Sequence, residues 1–214
     1  MCWNESVSLN TFLFSSFVLI LIIYNNSYTK YKIQGLNNTW MYILIASFVF
    51  MQLIEFFIWR NIKNQFYNNI FSILGLLLLF VQPIASIMLL QNIELRNSLL
   101  ASYLLVATPY SIYEFSTRHI HTVVSKLGHL KWSIFQDLSI VWVGWLFFFL
   151  FSFVYNKTWS GLLFVFITLV ISVLNYKNDQ SIGSTWCWIV NSVMIYYAIY
   201  LLLYLPFLEK QNIY

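Results

Sequence analysis

Residues 39–60 read TWMYILIASFVFMQLIEFFIWR, twenty-two positions with one carboxylate, Glu55, and one cation, Arg60. A helix of that length rises ~33 Å at 1.5 Å per residue, enough to cross about 30 Å of hydrocarbon. Barrel strands alternate apolar and polar residues over about ten positions, whereas this run is apolar on every side, so it reads as a membrane helix. Glu55 interrupts it one turn before Trp59 and Arg60. Behind the carboxylate, Gln52 lies one turn back and Ser47 two turns back, a single polar stripe on an apolar helix.

The rest of the chain repeats this pattern. Its 214 residues are 60% hydrophobic, 21% aromatic and 8% charged, against about 25% charged in average soluble domains. Seven apolar segments can be read, at 7–24, 39–59, 70–90, 98–115, 138–155, 159–174 and 185–208. The expected fold is therefore all-α, a seven-transmembrane-helix bundle in one integral membrane domain over 1–214. The lipid bilayer is its first partner. The separators are rich in Asn, Lys and Gly, which end or solvate helices. One of them is long, residues 116–137, STRHIHTVVSKLGHLKWSIFQD, and it holds all three histidines. No Lys or Arg precedes Lys30, so the first run lacks the positive flank of a secretory signal and reads as a mature helix. The formal charge of +4 is spread over the connections without a basic cluster, which argues against nucleic acid as a partner. Pro83 and Pro109 fall inside the third and fourth segments, where each frees a carbonyl one turn earlier. Trp40, Trp59, Trp132, Trp159 and Trp186 stand near segment ends, as an interfacial aromatic belt requires.

Counting crossings locates the chemistry. Six helices separate Cys2 from Cys187, so both cysteines are expected on one face, together with the ends of helices two, four and six and the 116–137 loop. Glu55, Glu114, His119, His121, His129 and Asp137 fall there too. Lys and Arg number six on that face and five on the other, so the positive-inside rule leaves the orientation open. An ionisable side chain at helical depth costs about 2.5–3.5 kcal/mol and tends to face a cavity or a partner. Glu55, Glu114 and His129 are accordingly candidate ligand-binding residues for a small ligand or ion, and the polar Gln82, which precedes Pro83 in the third segment, is grouped with them.

Three other chemistries suit the same residues. Cys2, His129 and Cys187 are a candidate metal set, although neither a CxxC pair nor HExxH is present and HIH at 119–121 points its rings apart on a helix. Cys2 and Cys187 are a candidate disulfide on an oxidising face, or free thiols packed beside Trp3, Trp186 and Trp188 on a reducing one. Removal of Met1 would leave Cys2 as an amino-terminal nucleophile. Other seven-helix activities are excluded. The last segment has no lysine for a retinal Schiff base and no paired histidines for a ceramidase-like hydrolase. A G-protein-coupled receptor would show Asp/Glu-Arg-Tyr and Asn-Pro-x-x-Tyr where this chain has NIELRN and YLLLYLPFLEK.

MCW at the start, Glu55, Gln82-Pro83, GHLKW at 128–132 and WCW at 186–188 together resemble a family of small multi-pass membrane proteins of bacteria and of large DNA viruses. The Asn-rich composition is similar to what an AT-rich viral genome would encode. The resemblance implies a shared fold and a shared site around Cys2, Glu55, His129 and Cys187, and it brings no reaction with it. Three functions follow as expectations: a binding or transport-type module for a small ligand or ion beside Glu55, a membrane-embedded metal-dependent hydrolase, or a structural membrane or virion protein.

Overall fold

The computed structural model describes residues 4–133 and 140–207. It is mostly helical. In chain order the helices are α1 (Glu5–Tyr28), α2 (Thr39–Arg60), α3 (Gln65–Ile87), α4 (Ile93–Thr117), α5 (Ile140–Tyr155), α6 (Trp159–Tyr176), α7 (Ile182–Val190) and α8 (Val193–Ile199). Among the described residues five stretches are long and apolar enough to span a membrane: α1, α2, α3, α6, and the run Ile182–Phe207 that contains α7 and α8. α5 is apolar but has 16 described residues. α4 carries Glu94 and Arg96 in its first turn and is far less apolar than the others. An integral membrane protein with several apolar helices follows from this, and seven crossings go beyond it.

Local chemistry explains why α3 and α4 begin earlier than the apolar runs. The side chains of Asn64 and Asn92 accept from the Tyr67 and Leu95 amides and cap helices that open with polar residues. α3 ends at Ile87, so the last residues of the expected 70–90 segment form a turn instead. The last apolar run begins at Ile182 and is not continuous: it breaks at Asn191–Ser192, resumes as α8, and passes into a π turn over Tyr200–Tyr204. At the break the Asn191 amide donates to the carbonyls of Phe48 and Cys187, at 3.1 and 2.8 Å, and so ties the interruption to α2.

The 116–137 loop also departs from expectation. It contains an antiparallel hairpin, β1 (Thr122–Val124) with β2 (Leu130–Trp132), in the register Thr122 to Trp132 and Val124 to Leu130. Between the strands, the Gly128 amide donates to the Ser125 carbonyl, and Gly128 has φ 80, which glycine adopts without steric cost. TVV and LKW are short β-branched and aromatic triplets, but three residues are too few for a period-2 signal to show in the sequence.

α1 packs on α2, α2 on α3 and α7, α3 on α5, and α6 on α7. An aromatic core joins these layers. Trp145 and Phe149 of α5 stack at 5.0 Å, and the Trp186 ring of α7 meets Trp145, Phe149 and Phe48 of α2 edge-on at 5.9, 6.0 and 6.1 Å. Pro83 shows how a freed backbone group is satisfied. It has no N–H for the Leu79 carbonyl, and the Trp145 indole donates to that carbonyl instead, at 2.9 Å.

Candidate functional site

One end of the bundle gathers the polar chemistry. Glu5 of α1 pairs with Arg60 at the end of α2, at 3.6 Å. Asn68 and Asn69 at the start of α3 donate to the carbonyls of Thr122 and Ile120, and Thr122 returns its amide to Asn68. Ser184 of α7 donates to the Leu130 carbonyl at 2.9 Å. The hairpin thus lies across the ends of α3 and α7.

The hairpin is held there by an acidic clamp. Asp179, in the link between α6 and α7, accepts from the Ser125 hydroxyl, from the Leu127 amide at 3.1 Å and from the Ser181 hydroxyl at 2.9 Å. Burial alone would raise its carboxyl, but these hydrogen bonds outweigh that and hold it below the usual range. His129, buried in the hairpin with its ring edge-on to Tyr176 at 5.0 Å, is pushed down by burial, and the nearby Asp179 carboxylate offsets part of that shift. Nothing in the sequence singled out Asp179. Its partners lie 52 and 54 residues away, beyond any local pattern.

Beneath the hairpin lies the Glu55 group. Glu55 and Gln52 are 0% exposed and Cys187 is 1% exposed. The Gln52 amide donates to the Glu55 carboxylate at 3.2 Å, and the Cys187 thiol lies within electrostatic reach of that carboxylate. Ser47, the third member of the stripe, is buried but turns its hydroxyl back to the Leu44 carbonyl of its own helix, at 2.6 Å. The hairpin and α7 fit tightly above the group. A Cβ added to Gly183 would lie 2.9 Å from two ring carbons of Trp132. Gly183→Ala is therefore expected to displace that ring and cost about 1–3 kcal/mol, seen as a lower melting temperature with altered tryptophan emission.

The other expected members separate from this group. Glu114 is buried, but its carboxylate is paired at 3.3 Å with Arg118, the residue that caps α4, and Tyr110 of α4 lies beside it. Gln82 is fully buried beside Pro83, and neither of its side-chain polar atoms has a hydrogen-bond partner among the described residues. It sits ~25 Å along α3 from the hairpin end, whereas Glu55 is ~8 Å from the same end of α2, because neighbouring helices run in opposite directions. Gln82 therefore lies at a different depth from Glu55. His119 and His121 are exposed on the hairpin approach, where the His121 ring contacts the His119 carbonyl at 2.9 Å. Cys2 and Asp137 lie outside the described residues, so the disulfide and the Cys2–His129–Cys187 metal set involve a residue without a described position. Cys187 itself is a buried free thiol, and no group of three His, Cys, Asp or Glu suited to a metal ion occurs among the described residues.

In comparisons with protein families, with curated proteins and with solved structures, nothing matches this chain. Function is argued from the site itself.

Proposed function

We propose that this is a multi-pass membrane protein that binds a small polar solute or a cation inside its bundle, with Glu55 as the anchoring group and the hairpin as the cap. One observation carries the reading: a carboxylate with 0% exposure within a 22-residue apolar helix. Keeping such a group at that depth costs about 2.5–3.5 kcal/mol, a burden that packing alone would remove by substitution. Gln52 and Cys187 supply further polar atoms nearby, and the broken helix α7–α8 supplies irregular backbone of the kind that lines solute sites in transporters. Glu55 and Cys187 are also among the residues through which the chain resembles other small multi-pass proteins.

Thermal unfolding of the purified protein in detergent, across a panel of alkali, alkaline-earth and organic cations, tests the proposal. A ligand at 100 times its Kd stabilises by about 2.7 kcal/mol. At least one cation is expected to raise the melting temperature of the wild type and to leave Glu55→Gln, which keeps the shape and loses the charge, unmoved. Equal responses of the two proteins, or no response to any cation between pH 5 and 8, would refute the assignment.

A further inference from the structure

α4 stands partly away from the bundle. Only Tyr103 and Glu114 of its residues are buried. Its first half packs through Leu95, Leu99, Leu100 and Tyr103 onto the end of α3, and the Tyr103 hydroxyl donates to the Phe80 carbonyl at 2.9 Å. Beyond Tyr103 the helix passes Pro109, which removes a backbone hydrogen bond and lets a helix kink. There α3, α4 and α5 enclose a cavity of about 270 Å³, walled by Leu76, Phe80, Val106, Trp145 and Phe148 among others. Along α4 it extends from Tyr103 to Ser111, ~12 Å at 1.5 Å per residue, most of the ~15 Å hydrocarbon depth of one leaflet.

The cavity has a polar end. Tyr110 and Ser111 line it, and one to two turns further on the Glu114 carboxylate is neutralised by Arg118. A recess of about 390 Å³ lies where α4 gives way to the hairpin, and Lys63, Gln65, Asn69, His119 and His121 are among its walls. Among the described residues its lining includes no carboxylate. The two spaces are bridged by a constriction of about 20 Å³ that shares Leu76 and Leu79 with the apolar cavity and His121 and Thr122 with the recess. An apolar slot of leaflet depth thus runs towards a recess whose charged and imidazole groups suit an anion.

We infer that the α3–α4–α5 cavity and the Lys63/His119/His121 recess together bind one anionic phospholipid, its acyl chain in the cavity and its phosphate in the recess. The complementarity is twofold. Apolar walls at membrane depth accept a hydrocarbon chain, and a recess with a cation and no acid favours phosphatidylglycerol over the zwitterionic phosphatidylcholine. This site is separate from the Glu55 group, so either assignment stands or falls alone.

Native mass spectrometry of the protein in mild detergent, titrated with phosphatidylglycerol or phosphatidylcholine, tests it. Gly144 lines the cavity, and a Cβ there meets nothing within 4 Å, so Gly144→Phe fills the slot without a clash at Cβ. The wild type is expected to hold one phosphatidylglycerol at least fivefold more tightly than phosphatidylcholine. Gly144→Phe loses that adduct while keeping its lipid-free melting temperature, and the double variant Lys63→Glu, His119→Glu binds both lipids alike. Equal binding of the two lipids by the wild type overturns the headgroup assignment whether or not any variant folds. Undiminished binding by Gly144→Phe overturns the cavity assignment. Two further results overturn the proposal: stabilisation by inorganic phosphate equal to that by phosphatidylglycerol, and a wild-type dimer that Gly144→Phe abolishes.

Discussion

Trp186→Ala is expected to destabilise the protein by about 3–5 kcal/mol, the range for emptying a large aromatic site. At 1% exposure the Trp186 ring fills the junction of four helices. It meets Phe48 of α2 and Trp145 and Phe149 of α5 edge-on, and its indole donates to the Thr168 hydroxyl of α6 at 3.2 Å. In a bilayer the lost term is packing rather than exclusion from water, because lipid tails are as apolar as the core and only close contact favours helix over lipid. For a chain of this size the loss corresponds to a melting temperature lower by roughly 10 °C. Trp186→Phe separates the contributions: it keeps most ring contacts and deletes the indole hydrogen bond, so about 1 kcal/mol should be lost. A melting temperature for Trp186→Ala within 2 °C of the wild type would mean that the aromatic junction does not hold the helices together.

That junction shows what could be read from the residues and what could not. Continuous apolarity identified the helical runs, because it follows from helix length and bilayer thickness. The depth of Gln82 can likewise be read from its 17-residue distance to the start of α3, which sets it far from the Glu55 end of the bundle. Glu114 has Tyr110 and Arg118 four residues to either side, at the end and cap of α4, an i, i+4 pattern visible in the sequence that gives the carboxylate a local cation. The hairpin and its clamp were out of reach. Strands of three residues carry no period, and the Asp179 contacts join segments more than 50 residues apart.

Asp179→Ala should free the hairpin. The carboxylate holds the 125–128 turn through Ser125 and Leu127 and anchors its own link through Ser181. Hydrogen bonds to a charged group contribute about 1.5–3 kcal/mol each when buried, and partial exposure of this loop reduces the total. A loss of about 2–3 kcal/mol in local opening free energy, roughly a 30- to 150-fold rise in amide exchange across β1 and β2, is the expected result. Asp179→Asn, which retains a neutral acceptor, should fall between. The sign of the pH effect is fixed by the two shifted groups. Asp179 is held below 3.8, so its contribution is complete above about pH 4 and is lost as pH falls through its folded value. His129 is held below 6.5, so the stability tied to its neutral form is complete above that pH and drains away as acid charges the buried ring. Both slopes run the same way: exchange corrected for its intrinsic pH dependence should rise on acidification, first through His129. Removing Asp179 also removes the carboxylate that eases protonation of His129, so the variant should lose more than the wild type between pH 6.5 and 5. Exchange in Asp179→Ala within threefold of the wild type, or a flat profile over that interval, would show that the hairpin is seated by its contacts with α3 and α7 alone.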